Sequence, residues 1–131
     1  MDVLTADILN SYLHAPSSYK HFIICQLEFG LKNQGKLAII VRAIYGRKFT
    51  CRDFWNRLRI CINHLGFESC LGDAVVWIHV STSAGGMKYS NYVLMYVDNC
   101  LVISNKAEDI LRKYIGQQFE LKEDSIGQPS L

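Results

Sequence analysis

Hydrophobic and polar residues alternate along several short stretches of this 131-residue chain, and two longer stretches repeat their apolar positions at helical spacing. The most apolar part, residues 92–104, has two β-branched and aromatic runs on either side of the polar pair Asp98 and Asn99. Such runs favour strands, and two adjacent Asx residues tolerate the positive φ angles of a tight turn. We therefore predict a β-hairpin with a carboxylate at its tip. Because side chains alternate along a strand, Asn99 is expected to lie on the face opposite to Asp98.

The other apolar segments predict a mixture of strands and helices. Apolar residues at helical spacing predict a helix over residues 51–65, which Thr50 would begin and Gly66 would end. A second helix is expected, capped by Asn105 and ended by Gly116, with Tyr114 among its inward residues. The remaining predicted elements are a strand over 2–7, a short helical or turn segment over 8–13, two apolar runs over 22–29 and 36–43 that are separated by a loop or hairpin, a strand over 74–80 and a last strand over 119–122.

The order of these elements predicts the fold class. Strand, helix, strand, strand, helix, strand is the split arrangement of an α+β, ferredoxin-like fold, an antiparallel sheet backed by two helices. We expect a single domain over residues 1–131, with an insertion at about 14–48. In this topology the first strand neighbours the leading strand of the hairpin, which would bring Asp7 beside Asp98.

Composition excludes several classes of protein. The chain is 50% hydrophobic and 20% charged with a net charge of +2, so it is neither a disordered tail nor a basic arm. No apolar run approaches the roughly 18 residues of a membrane span, and no secretory signal is visible, so we expect no membrane partner. Five cysteines without Cys-x-x-Cys spacing, and four histidines in no ligand pattern, predict reduced thiols in an intracellular protein without zinc. The abrupt ends of the chain suggest a piece of a longer polyprotein.

Two carboxylates at neighbouring strand ends are suited to Mg²⁺. This ion prefers hard oxygen ligands and usually takes one or two protein carboxylates together with substrate phosphates. Two such ions can activate an attacking hydroxyl and stabilise a leaving pyrophosphate. Simpler interpretations stay open from the residues alone: Asp98 and Asn99 as turn residues, and Asp7 as the N-cap of a short helical turn.

Three short motifs in series resemble the core polymerase motifs of reverse transcriptases, and their order and spacing resemble those of copia-type retrotransposons. They are residues 7–13, residues 43–48 followed by Trp55, and residues 96–99. Residues 64–67 and 119–122 also fit, so the resemblance covers essentially the whole chain. It implies part of a polymerase palm with a partial fingers region, and RNA-directed DNA polymerase activity. Magnesium, an RNA or DNA primer–template and a deoxynucleotide are the implied partners.

The resemblance also implies roles for single residues. Asp7 and Asp98 would be the catalytic, metal-binding carboxylates, and Asn99 a weak third ligand. Tyr12 would exclude a ribonucleotide 2′-hydroxyl, and Lys122 would protonate the leaving pyrophosphate. The implied nucleotide-binding set is Tyr12, Tyr45, Gly46, Lys48 and Lys122, and the implied nucleic-acid contacts are Arg47, Arg52 and Arg57.

Ordinary alternatives to these roles remain open. Tyr12 can be a core tyrosine, and Gly46 a simple turn residue. The basic residues between Arg42 and Arg59 can form a solvated helix face, although such a cluster can also follow nucleic-acid phosphates.

One departure from the family pattern affects the expected activity. Asn99 stands where these polymerases have a second aspartate, and a unit charge about 4 Å from a cation is worth on the order of 4 kcal/mol at an effective dielectric of 20. The upstream fingers, the thumb and any nuclease domain are also missing, so we expect no DNA synthesis by the isolated chain. A non-catalytic nucleic-acid-binding remnant and an inert decayed fragment are the alternative functions.

Overall fold

A computed structural model describes residues 1–26, 31–45 and 49–129 and shows a mixed α+β protein. The chain divides into two compact units. The first unit comprises Met1–Ser11 and Leu58–Leu131, and the second comprises Tyr12–Arg57. Within the described ranges, none of the helices combines the length and the apolar character needed to cross a membrane.

The first unit is built on a five-stranded antiparallel sheet with the strand order β1-β7-β6-β5-β4. Its strands are β1 (Asp2–Asp7), β4 (Glu68–Ser69), β5 (Val76–Thr82), β6 (Lys88–Tyr96) and β7 (Asn99–Ser104). The predicted hairpin is therefore formed by β6 and β7, which occupy the middle of the sheet. In the second unit, β2 (Pro16–Ile24) pairs antiparallel with β3 (Leu37–Arg42).

The neighbour of β1 differs from the prediction. β1 pairs with β7, the trailing strand of the hairpin, in a register that runs from Asp2 opposite Ser104 to Asp7 opposite Asn99. The predicted neighbour, β6, has no free edge, because β5 pairs along one side and β7 along the other. Antiparallel pairing with β5 and with β7 thus occupies both edges of β6, and β1 pairs with the outer edge of β7.

The segment that follows the second helix covers the other edge of β1. Leu121 forms an isolated bridge with Ile8, and Gly127 forms one with Thr5. Between these bridges the chain makes a single 3₁₀ turn, Glu123–Ser125. The strand predicted over residues 119–122 is thus reduced to an isolated bridge, and β1 is covered on both edges.

Helix α1 spans Thr50–His64, within one residue of the predicted bounds at each end. Four residues of its predicted apolar stripe are buried: Phe54, Leu58, Cys61 and Ile62. Leu65, the fifth residue of the stripe, follows the helix and is half-buried. The stripe works because residues three and four apart share one face of a helix.

Helix α2 consists of three consecutive segments, Ala107–Asp109, Ile110–Ile115 and Gly116–Gln118, of which the middle one has π geometry. The wider π turn places Ile110 and Ile115 on the same face, where both are buried. Tyr114, predicted to face inward, is 51% exposed, since the prediction assumed a regular α-helical phase. The predicted C-terminal end was also wrong, because the helix continues past Gly116 to Gln118.

The start of α2 is organised by a different residue from the one predicted. The Ser104 hydroxyl accepts a hydrogen bond from the backbone amide of Lys106 at 2.9 Å. Asn105, which was predicted to cap the helix, is exposed. Ser104 can serve because it is the last residue of β7 and is fully buried against the helix start.

The core of the first unit lies on one face of the sheet. Alternate strand residues point to this face, which is why Ala6, Cys100 and Met95 are all buried and pair across neighbouring strands. Large side chains from the strands and from the second half of the chain complete it: Trp77, Val93, Val102, Leu111, Ile115 and Phe119. Asp7 and Asn99, which pair with each other at the hairpin end of the sheet, lie on the opposite face.

Candidate metal site at the β1 and β7 strand ends

The backbones of Asp7 and Asp98 are adjacent. Asp7 is the last residue of β1 and pairs with Asn99, the first residue of β7. The next amide along the chain, Ile8 N, donates a hydrogen bond to the carbonyl oxygen of Asp98 at 2.8 Å. Two acids that are far apart in sequence thus lie at the same end of the sheet.

The hairpin turn is formed by Val97 and Asp98, between the paired residues Tyr96 and Asn99. The sequence predicted the turn one residue later, which was wrong because Asn99 already pairs with Asp7. Val97 has a φ of +58°, whereas Asp98 is not among the positive-φ residues. This is the φ pattern of a type II′ turn, which matches the twist of two antiparallel strands. A positive φ at a β-branched residue is strained, so the fold holds this turn against a local preference.

Asn99 lies on the same face as Asp7. Residues directly opposite each other in an antiparallel pair share a face, so Asp7, Asn99 and Tyr96 are together on the face away from the core. Asp98 is a turn residue, so the predicted placement of Asn99 on the face opposite to Asp98 stays a prediction. The side-chain amide of Asn99 donates a hydrogen bond from Nδ2 to Oδ1 of Asp98 at 3.1 Å. Asn99 therefore contacts Asp98 directly.

The backbone of Asp7 is also fixed from the opposite edge of β1. Its N–H donates to the Ser125 hydroxyl at 2.8 Å, and its carbonyl oxygen accepts a hydrogen bond from the amide of Lys122 at 2.8 Å. The Ser125 hydroxyl in turn donates to the carbonyl oxygen of Lys122 at 2.6 Å. We call this set of three hydrogen bonds the Ser125 clamp. Sequence reasoning missed Ser125, since a serine in a polar terminal segment has no distinguishing pattern.

The Lys122 side chain is exposed and lies 3.8 Å from a carboxylate oxygen of Asp124. Its backbone amide donates to the carbonyl oxygen of Asp7, so the backbones of these two residues are adjacent. A surface ion pair of this length contributes little and leaves the ammonium able to change partner.

The donor set at this end of the sheet suits a hard cation that keeps several of its own waters. Asp7 and Asp98 are half-buried and Asn99 is exposed, so the carboxylates remain open to solvent and to a substrate. Over the described ranges, no cluster of three or more His, Cys, Asp and Glu side chains is arranged to hold a metal ion. Two carboxylates and an amide oxygen fit Mg²⁺, which commonly completes its octahedron with water and phosphate, and do not fit an ion that needs a full protein cage.

Tyr12 and Tyr45 are close together in the second unit. Their ring centroids are 4.5 Å apart, and the Tyr12 ring also lies 5.8 Å from that of Phe54. The Tyr12 hydroxyl is 3.1 Å from the sulfur of Cys51. Tyr12 is half-buried in this cluster, while Tyr45 is 58% exposed. Packing within the cluster is compatible with both interpretations of Tyr12, the core residue and the nucleotide contact.

The predicted basic residues are only partly described. Gly46, Arg47 and Lys48 lie outside the described residues. The Arg52 guanidinium sits 4.7 Å from the ring centroid of Phe49 and 4.0 Å from Asp53, and its side chain remains 49% exposed. Arg57, one turn further along α1, is half-buried.

Comparison of the chain with protein-family models, with curated proteins and with solved structures found no match.

Proposed function

We propose that this chain is part of the palm of a copia-type reverse transcriptase, and that Asp7 and Asp98 bind Mg²⁺ for nucleotidyl transfer. The supporting observation is the pairing of Asp7 with Asn99, together with the Ile8 N–Asp98 O hydrogen bond. These contacts bring the first and third resembling motifs to the same end of one sheet. A coincidental match between short motifs would not require this proximity.

The residues at this site would divide the work between ligation and positioning. Mg²⁺, when bound, would activate the primer hydroxyl and neutralise charge on the triphosphate. Asp7 and Asp98 would supply anionic oxygen ligands. The Ser125 clamp holds the backbone of Asp7, and the type II′ turn holds that of Asp98, so both carboxylates start from fixed positions. Lys122 would act on the leaving pyrophosphate.

Asn99 would limit the strength of this site. Its amide hydrogen bond orients the Asp98 carboxylate but adds no negative charge. An aspartate at this position would contribute up to about 4 kcal/mol of attraction to a cation about 4 Å away. We therefore propose weak metal binding and low or absent polymerase activity for the chain with Asn99.

Metal binding by the purified chain tests the proposal. Mn²⁺ replaces Mg²⁺ in oxygen-ligand sites, and its paramagnetism allows bound ion to be counted. Asp7→Asn and Asp98→Asn should each weaken Mn²⁺ binding at least about tenfold. Asp2→Asn is the matched control, because it removes the same charge from the exposed, opposite end of β1. Equal losses in all three variants, or no binding by the parent at millimolar ion, would refute the metal site.

Primer extension tests the reaction itself. The assay uses the full-length parent protein, with Asn99→Asp compared in parallel and Asp98→Asn as the inactive reference. The restored carboxylate should increase nucleotide incorporation. If the full-length protein binds primer–template and Asn99→Asp does not increase its nucleotide incorporation, the role assigned to Asn99 is wrong.

A second function, nucleic-acid binding without chemistry, is favoured by Asn99 and by the exposed guanidinium of Arg52. Such binding would rest on phosphate contacts and would need no Mg²⁺. Arg52→Glu and Arg57→Glu should weaken binding of a labelled RNA–DNA hybrid, whereas Lys88→Glu, at the exposed start of β6, should not. Affinity should fall steeply between about 50 and 200 mM salt. No measurable binding at low salt would exclude this function.

A further inference from the structure

A chain of hydrogen bonds crosses the core face of the sheet at the end far from Asp98. The Ser104 hydroxyl donates to Oδ1 of Asn91 at 2.5 Å, and Asn91 Nδ2 donates to the Ser81 hydroxyl at 2.9 Å. Asn91 Nδ2 also donates to the carbonyl oxygen of His79 at 3.0 Å. Asn91 and Ser104 are 3% and 0% exposed, so these polar groups are satisfied within the protein.

The Ser81 hydroxyl also contacts the imidazole of His79. Its oxygen accepts from Asn91 Nδ2 and lies 3.2 Å from Nδ1 of His79, where either group can be the donor. The His79 ring is thus held in place by Ser81, and its Nε2 forms no hydrogen bond within the described part of the chain.

His79 and Ser81 line a cavity of about 270 Å³ between the core face of β5 and β6 and helix α2. One side of the cavity is apolar, formed by Leu65, Phe67 and Ile110, and the Phe67 ring lies 5.3 Å from that of His79. The other lining groups include the rings of Tyr89 and Tyr114.

The charged residues of the cavity leave a net positive charge. Asp109 is paired with Lys113 at 2.8 Å, and the hydrogen bond from Lys113 lowers the pKa of Asp109. The other lining cation, Lys106, is exposed and forms no ion pair within the described residues. The cavity thus combines apolar side chains, two tyrosines, an imidazole and an ammonium that forms no ion pair within the described residues.

We propose that this cavity binds a small planar anion, an aromatic ring that carries one carboxylate or phosphate group. The ring would pack against Phe67 and the tyrosines, and Lys106 would provide the charge for the anionic group. The imidazole of His79 would be a second polar group in the same cavity. A cation is disfavoured by Lys106, and a neutral ring would leave the Lys106 ammonium without an anionic partner.

Binding can be measured by NMR titration of the isotopically labelled full chain. The probes are benzoate and phenyl phosphate, with benzyl alcohol as a ring without charge and inorganic phosphate as a charge without a ring. A ligand of this size should bind with a Kd of roughly 1 mM. Its resonance shifts should map to Phe67, His79, Tyr89 and Lys106, and both control compounds should bind several-fold more weakly.

A pair of lysine variants identifies the cation. Lys106→Gln should weaken binding of phenyl phosphate about five- to tenfold. Lys88→Gln removes the same charge from an exposed residue of β6 that does not line the cavity, and should have no effect. Equal binding of benzyl alcohol and benzoate, unchanged affinity in Lys106→Gln, or shifts that map elsewhere would each overturn the proposal.

Discussion

The turn that carries Asp98 makes an unusual prediction about stability, because Val97 has a φ of +58°. At most positions glycine is less stable than alanine by about 0.5–1 kcal/mol, since glycine loses more conformational freedom on folding. At positive φ this order is reversed, because a Cβ atom in the left-handed region costs roughly 1–2 kcal/mol. We therefore expect Val97→Gly to be more stable than Val97→Ala by about 1 kcal/mol.

The comparison of these two variants isolates the backbone. Val97 is exposed, with 48% of its surface accessible, so both substitutions remove a side chain that makes few contacts and lose similar packing. Val97→Ala keeps most of the strain and loses packing, so it should destabilise the protein by roughly 1 kcal/mol. Val97→Gly loses the same packing but gains from relief of strain, so it should lie within about 1 kcal/mol of the parent.

Urea denaturation measures the difference. The slope of unfolding free energy for a chain of this size is about 1–3 kcal/mol per molar urea, so a 1 kcal/mol difference shifts the midpoint by roughly 0.5 M. Identical slopes would show that both variants unfold from the same native state. If Val97→Ala proved as stable as Val97→Gly, the turn would not have a positive φ at this residue. The position of Asp98 beside Asp7 would then lose its support.

Three other predictions concern the core, the buried thiol and the Ser125 clamp. Leu111→Ala should destabilise the protein by about 2–5 kcal/mol because Leu111 is fully buried, whereas Tyr114→Ala on the same helix should cost less than about 1 kcal/mol; similar values by urea denaturation would contradict the π phase of α2. Burial raises the pKa of the Cys100 thiol from 9.0 to about 12, so above pH 9 the unfolded state loses a proton that the native state keeps. Stability should therefore fall by up to about 1.4 kcal/mol per pH unit between pH 9 and 12, and a parent and a Cys100→Ala variant with the same slope would exclude this cause. Ser125→Ala should weaken Mn²⁺ binding several-fold and Ser125→Thr should restore it, while a loss in both variants would argue against a role for the hydroxyl.

Local patterns in the sequence predicted which residues form strands and helices. The apolar stripe of α1 gave its bounds to within one residue, because a spacing of 3.6 residues is a property of the segment itself. The same method failed for the middle segment of α2, where Ile110–Ile115 follows a π period that the sequence does not reveal. Tyr114 was consequently assigned to the wrong face.

Contacts between distant segments were harder to predict. The choice of β7 over β6 as the neighbour of β1 depends on which strand edges remain free after the hairpins form, and no local pattern contains that information. The proximity of Asp7 and Asp98 was nevertheless expected, since both strands of a hairpin meet at the same turn. A β1 strand beside either of them brings its last residue to that turn. Ser125 could not be found in this way, because its hydrogen bond to Asp7 crosses most of the chain.

The hydrogen bond from Asn99 to Asp98 would connect the stability of the turn to the proposed binding of a metal ion. With asparagine, the amide donates to one oxygen of Asp98 and stabilises the turn without a cation. An aspartate there would place two carboxylates together and lose that hydrogen bond, so the metal-free turn would be destabilised by about 1 kcal/mol or more. A bound cation would reverse the loss, since a ligand that binds only the native state stabilises it. Asn99 therefore favours a turn that is stable without metal over one that binds metal tightly, which is why Asn99→Asp should make the stability of this protein depend on Mg²⁺.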